Sequence, residues 1–314
     1  MNSAVFSLTG PPAGRFDVSC GGRPLFSYVY QPDVPRDESP RPYIHPLYTL
    51  AGAVVTGFRP PDHRWHHGLS LTCAHLSGEN FWGGPTYVRG QGYVQLPNNG
   101  AQVHLGWDEA AAGADGVALQ QRLAWVTQAG ATWLAEERRI EVTQVDARAG
   151  WWALDLRFTL RNVHSAALMF GSPTTEGRPA AGYGGLFWRG SQELAGGTVY
   201  TASGVEASGC NDEPAMGQRG AWLAYVAPSA AQPPAALLFL DHPANPRYPT
   251  PWFARPSYAG VSCAFMYDTP FALAPGAALT LRYRLVIAAG AWTRGQAAAR
   301  AAALRFPDGE PAGV

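Results

Sequence analysis

Leu154-Asp155-Leu156-Arg157-Phe158-Thr159-Leu160-Arg161 puts every apolar side chain on one parity and every polar one on the other. Successive side chains of a strand point to opposite faces, so this stretch reads as a strand with one face in a core and the other in water. Working outward, Val117 to Val126 repeats the pattern, with Val117, Leu119, Leu123 and Trp125 opposed to Gln120 and Arg122. Near the end of the chain Leu279, Leu281, Tyr283, Leu285 and Ile287 alternate with Thr280, Arg282 and Arg284. One-sided strands of this kind belong to antiparallel sheets.

Turn clusters separate the strands: Pro97-Asn98-Asn99-Gly100, Asp146-Ala147-Arg148-Ala149-Gly150 and Ala274-Pro275-Gly276. They mark hairpins and returns. The one helical signal is terminal, where Thr293 precedes an Ala-rich body running to Arg305 and is placed to cap a helix on the sheet edge or fraying from it. Ala227 to Ala236, rich in Pro, Ser and Ala, reads as a surface loop rather than a linker. The expectation is an all-β fold, a large antiparallel β-sandwich in which residues 1–314 form a single domain and 293–305 a terminal helix.

The 314 residues carry 23 basic and 23 acidic side chains, so no net field draws the chain to nucleic acid or anionic membranes, and neither is an expected partner. Every basic residue is arginine, because the sequence holds no lysine. Schiff-base catalysis, pyridoxal-phosphate attachment and the P-loop lysine are thereby excluded. Cys20, Cys73, Cys210 and Cys263 form no C-x-x-C pair, which leaves neither a zinc ribbon nor a redox motif and suggests reduced thiols. The start, Met1-Asn2-Ser3-Ala4-Val5, lacks a signal peptide's basic and apolar regions, so the chain is expected to be cytoplasmic. No Gly-x-Ser-x-Gly elbow is present, which disfavours acyl transfer.

Three clusters carry candidate chemistry. The densest is Arg59-Pro60-Pro61-Asp62-His63-Arg64-Trp65-His66-His67-Gly68, flanked by Arg41 to Pro46 and by Glu79 to Gly84. Histidine changes charge near neutrality and is also the commonest metal ligand. An acid/base reading takes His63 and His67 as proton carriers beside Asp62 or Glu176 and needs no cofactor. The alternative is a divalent metal on His63, His66 and His67, with Asp62 or His45 completing the shell. A third possibility is that these histidines satisfy buried backbone groups of a Pro-rich loop.

The second cluster joins Thr174-Thr175-Glu176-Gly177-Arg178 to Gly182-Tyr183-Gly184-Gly185-Leu186-Phe187-Trp188-Arg189. Tyr183 and Trp188 offer flat apolar faces and Arg189 a planar donor fork, a surface suited to sugars. The third runs from Asp241 to Arg255, where four prolines stiffen a loop carrying His242, Asn245 and Arg255.

Taken in order, Arg41-Pro42-Tyr43-Ile44-His45-Pro46, Pro61-Asp62-His63 with His66-His67-Gly68, Asn80-Phe81-Trp82-Gly83, Gly184-Gly185-Leu186 with Arg189, Asp241 to Pro246 and Trp252 resemble a bacterial family labelled PmoA-like, or methane oxygenase PmoA family. A membrane monooxygenase subunit needs transmembrane helices absent from this sequence. The resemblance implies instead a β-sandwich related to the galactose-mutarotase-like supersandwich and a role in carbohydrate metabolism. The resulting expectation is a carbohydrate-active enzyme of epimerase or mutarotase, lyase or hydrolase type, acting on a small sugar-like substrate. His63, His67, His242 and Glu176 are its candidate catalytic residues. Arg41, His45, Trp82, Tyr183, Trp188, Arg189, Asn245 and Arg255 are candidates for substrate binding. A metal-dependent hydrolase or oxygenase and a non-catalytic carbohydrate-binding module are the alternatives.

Overall fold

The alternation of Leu154 to Arg161 is realised in the strand Trp151–Asn162, whose Trp152, Leu154, Leu156, Phe158 and Leu160 enter the main core. It pairs antiparallel with Ala278–Ala289, so that Leu154 lies opposite Leu285, Leu156 opposite Tyr283 and Phe158 opposite Leu281. These strands sit in the middle of a nine-stranded sheet ordered Glu206–Ser208, Thr198–Thr201, Trp222–Val226, Ala235–Asp241, Ala278–Ala289, Trp151–Asn162, Thr132–Asp146, Val117–Val126, Ala101–Ala112. The computed structural model describes residues 5–10, 14–228, 230–231, 233–304 and 306.

The facing sheet has eight strands, ordered Phe6–Thr9, Arg15–Cys20, Arg23–Val29, Tyr43–Leu47, Leu69–Thr72, Gly185–Arg189, Gly260–Cys263, Trp252–Arg255. All neighbours in both sheets run antiparallel. The inner faces meet in one apolar cluster, where Phe26 stacks on Trp152 at 6.1 Å and Trp188 packs on Tyr225 at 5.0 Å. Each large side chain sealed there contributes roughly 1.5–3 kcal/mol. The all-β sandwich with a short C-terminal helix expected from the sequence is thus the architecture observed.

The helix Arg294–Ala303 begins at Thr293, which forms a capping box with Gln296. Ala297 and Ala301 belong to a second apolar cluster with Trp151, Ala153, Val286 and Ala288, so the helix lies over the outer face of the larger sheet rather than at its edge. The expected end at Arg305 lies outside the described residues, as do Met1 to Ala4. Of the stretch expected to be a loop, residues 227–234 connect Trp222–Val226 to its partner Ala235–Asp241 as a hairpin within one sheet, while Ala235 and Ala236 are buried strand residues; Ser229 and Gln232 lie outside the described residues. Cys20, Cys73 and Cys263 are buried free thiols and Cys210 is exposed. Among the described residues no helix is long and apolar enough to cross a membrane.

Candidate functional site

Parity decides what the strand Gly185–Arg189 contributes. Leu186 and Trp188 point into the main core, whereas Phe187 belongs to a separate outer cluster with Ala74 and Trp82. Pairing with Gly260–Cys263, and through it with Trp252–Arg255, sets Phe253 in another outer cluster with Ala264 and Tyr267. On this outward face of the smaller sheet lies a cleft of about 440 Å³. His63, Trp65, His66, Trp82 and Gly83 line one part of it, and Tyr93, Arg178, Tyr183, Phe253, Arg255 and Tyr258 line the rest.

The loop bearing the histidines is tied down locally. His63 N–H donates to Pro60 O, His66 N–H to His63 O, and Arg59 N–H to His66 O. Arg59 adopts φ 49° and Gly68 φ 47°, and a Cβ on Gly68 would lie 2.2 Å from Ile44 O, so only glycine closes the loop. From below, Arg41 donates to Glu38 O, Ser39 O, Trp65 O and Ser70 Oγ. The buried Glu38 carboxylate receives Arg59 at 2.7 and 2.9 Å and His67 Nε2 at 3.0 Å.

That arrangement fixes the state of His67. Nε2 faces two acceptors, Glu38 Oε2 and Arg64 O, so it carries the proton, while Nδ1 is buried without a partner. Burial, followed by the Arg41 charge, pushes the imidazole down to about 2. The contact to Glu38 is therefore a hydrogen bond from a neutral ring rather than an ion pair.

His63 and His66 differ. Their rings stack at 4.6 Å and 21°, yet their Nδ1 atoms meet opposite partners. His63 Nδ1 lies 2.7 Å from Asp62 Oδ2, an acceptor, so Nδ1 carries a hydrogen, and in the ring's neutral form Nε2 offers a lone pair. Although burial opposes it, the hydrogen bond from His63 and the positive charge of Arg189 hold the Asp62 carboxyl below its usual range. His66 Nδ1 lies 3.3 Å from Arg189 Nη1, which can only donate, so His66 carries its hydrogen on Nε2. Burial, then repulsion from any proton taken up by His63 and from the Arg189 and Arg41 charges, holds His66 well below the ordinary imidazole value. It is a neutral N–H donor at neutral pH, and Arg189 in turn lies over the Tyr258 ring at 4.4 Å.

The walls are aromatic. Trp82 packs on Tyr183 at 4.4 Å and on Phe187 at 4.5 Å, and Tyr183 meets Phe253 edge-on at 5.5 Å. The Trp65 indole lies against Gly84, where a Cβ would come within 2.6 Å of its ring. Tyr93 bonds Tyr183 through their hydroxyls and accepts from Arg178, whose guanidinium lies over the Tyr93 ring. Arg255 pairs with Asp212 at 3.2 Å.

A family model described as "Family of unknown function (DUF6807)" matches residues 15–302. The chain belongs to that family. No curated protein matches this DUF6807 chain. Among solved structures it is similar to an α-galactosidase from Lactobacillus brevis, at 9% identity and a TM-score of 0.42, covering 92% of this chain and 40% of that one. It is also similar to the Slr1438 protein of Synechocystis sp. PCC 6803, at 11% identity and a TM-score of 0.36, covering 92% and 94%, and to a mutant of the heparan sulfate lyase HepC from Pedobacter heparinus, at 8% and 0.34, covering 88% and 30%. The DUF6807 chain thus spans well under half of the α-galactosidase and of the lyase. Its motif likeness to PmoA-like proteins remains a resemblance.

Of the residues singled out from the sequence, this DUF6807 chain brings His63, His66, Trp82, Tyr183 and Arg255 to the cleft, with Arg189 directly behind His66. Others fall elsewhere. Trp188 is sealed in the core with its indole N–H on Val55 O, because its parity is that of Leu186. Arg41 is 1% exposed and engaged with backbone carbonyls, so it braces the loop instead of clamping a substrate. His67 is fully buried and braces Glu38. His45 bonds Thr56 and stacks on Phe58. Glu176 stands 3.8 Å from His75 and does not line the cleft.

His242 and Asn245 are separated from Arg255 for a topological reason. Ala235–Asp241 belongs to the nine-stranded sheet and Trp252–Arg255 to the eight-stranded one, so residues 242–251 carry the chain from one sheet to the other. His242 packs on Phe306 at 4.5 Å beside Arg282 and Arg284, and Asn245 bonds Asp241 and the Arg282 backbone.

The metal alternative also meets a geometric difficulty. Stacked rings keep their lone pairs in two nearly parallel planes that do not converge on one point, Arg189 occupies His66 Nδ1, and His67 faces Glu38. Among the described residues no group of three or more His, Cys, Asp or Glu side chains is arranged to hold a metal ion. The sequence reading passed over Trp65, Tyr93, Phe253 and Tyr258; only the aromatic density around the three clusters signalled them.

Proposed function

We propose that the cleft binds a sugar or sugar-derived molecule and catalyses proton transfer on it, with His63 as proton acceptor and His66 as hydrogen-bond donor. The observation that carries this reading is the stacked pair of imidazoles with opposite partners at Nδ1. Environments that fix two like rings in opposite tautomers assign them different roles, one an acceptor and the other a donor. His63 Nε2 takes a proton from a C–H or O–H group, and Asp62 stabilises the imidazolium that results. His66 Nε2–H donates to the oxygen on which negative charge grows, and its neighbour Arg189 adds a fixed positive charge behind it.

Epimerisation, mutarotation and elimination all have this form, and hydrolysis has it if the proton comes from water. The faces of Trp65, Trp82 and Tyr183 suit the C–H faces of a pyranose, and the motif likeness to PmoA-like proteins agrees with a carbohydrate substrate. The test follows a panel of aldoses and sugar acids in deuterated buffer by NMR, reading anomer exchange, deuterium uptake beside the carbonyl, and elimination. His63→Ala is expected to lower the responding rate about 10²–10⁴-fold, with His66→Ala also impaired. Wild-type turnover in both single variants would overturn the reading.

A further inference from the structure

The whole chain is balanced at 23 basic and 23 acidic residues, but the cleft is not. Among the described residues its lining includes Arg178, Arg255, His63 and His66, and no aspartate or glutamate. The acids behind it are already engaged: Asp62 holds His63 and stands 4.0 Å from Arg189, and Asp212 holds Arg255 and both the N–H and hydroxyl of Ser257. Three arginines against two aspartates leave one surplus positive charge, and it falls to Arg178. Among the described residues that guanidinium makes no ion pair; it hydrogen-bonds the Tyr93 hydroxyl and lies over the Tyr93 ring.

We infer that the ligand of this cleft is a sugar acid, its carboxylate received by Arg178 on the side of the cleft walled by Tyr93 and Tyr183. The inference rests on the proposed use of the same cleft for a sugar. A guanidinium fork matches a planar carboxylate, and a cation held against aromatic walls is less screened than one in open water. A phosphate ester fits less well. Phosphate sites are typically built from free backbone amides, and the glycine turn at the cleft has none to offer. Trp82 and Gly83 N–H donate to Asn80 Oδ1, and Gly84 N–H donates to Asp37 O.

Calorimetric titration of the full chain with glucuronate, galacturonate, glucose, galactose and glucose 6-phosphate tests this, at low and high sodium chloride. The expected result is a uronate Kd about tenfold below that of the matching neutral aldose, with the gap closing at high salt. Arg178→Gln is expected to weaken uronate binding about tenfold more than neutral-sugar binding, which abolishes the gap. The inference is overturned if neutral sugars bind as tightly as uronates or if the phosphate ester binds best. It is equally overturned if Arg178→Gln leaves the uronate preference intact, or if none of these probes binds at millimolar concentration. Turnover assays on the wild-type chain with the same sugars separate the two readings: a uronate preference without turnover supports this inference alone, and proton transfer on neutral sugars without a uronate preference removes it alone.

Discussion

The guanidinium of Arg41 donates from Nη2 to the carbonyl oxygen of Trp65 at 2.6 Å, across 24 residues of chain, and so holds from beneath the loop on which both cleft imidazoles ride. Its Nη1 serves the carbonyls of Glu38 and Ser39. Arg41→Ala leaves the four acceptors it serves without their donor and is expected to cost about 3–5 kcal/mol by urea denaturation. Arg41→Lys recovers only part of it, because an ammonium cannot span the same fork. A variant as stable as wild type would show that the loop holds itself.

Acid should weaken the fold through two buried imidazoles. Burial keeps both His66 and His67 well below the ordinary value, His67 at about 2, whereas both titrate near 6.5 in the unfolded chain. Below about pH 6.5 the unfolded state takes up protons that the folded state refuses. Stability is therefore complete above that pH and falls on acidification by about 1 kcal/mol per pH unit for each ring. Urea denaturation at pH 7.5 and pH 5 measures the slope, and His67→Gln should make it shallower. An unchanged slope would mean that His67 already takes up a proton in the folded state.

Gly84→Ala tests how tightly the Trp65 wall is set. The glycine has φ 66°, and the added methyl would lie 2.6 Å from the indole. The expected cost is about 1–3 kcal/mol, together with weaker uronate binding in the titrations because Trp65 must move. Unaltered affinity would remove Trp65 from the recognition surface.

Between the sheets, Arg138 Nε donates to Glu136 Oε1 at 2.6 Å, Trp125 Nε1 donates to Glu136 Oε2, and Arg138 Nη2 donates to Gln102 Oε1. Removing one member of a buried pair strands the other charge. Arg138→Met should lose about 3–5 kcal/mol, read as a lowered thermal midpoint, and Arg138→Met with Glu136→Gln should recover part of that loss. A double variant less stable than the single one would contradict an uncompensated carboxylate as the cause.

Where one parity was polar, the fold was legible: Leu154 to Arg161 announced both its strand and its inward face. Leu186-Phe187-Trp188 was not legible in the same way, because all three are buried, Leu186 and Trp188 in the core and Phe187 behind the cleft. Alternation carries no directional information when both faces are covered. The acidic and basic pairs in Glu136-Glu137-Arg138-Arg139 look solvated, but Glu136 and Arg138 share the inward parity of Leu134 and Ile140. The histidine loop was read as the centre of a site, and its His63, Trp65 and His66 line the cleft. The roles of its members were not, since they turn on which partner meets each Nδ1, and those partners, Asp62 and Arg189, lie one and 123 residues away. His242 and Arg255 look like one cluster in the sequence, and only the change of sheet between residues 241 and 252 parts them.

The cleft rests on the outward face of the same short strands whose inward residues lock the sandwich, and this bears on exchange kinetics. A ligand can arrive and depart without the two sheets parting, so its residence time depends on contacts at the mouth and not on how often the core opens. Mild denaturant that makes the core breathe more often should leave the dissociation rate of a bound sugar acid essentially unchanged until the whole sandwich unfolds.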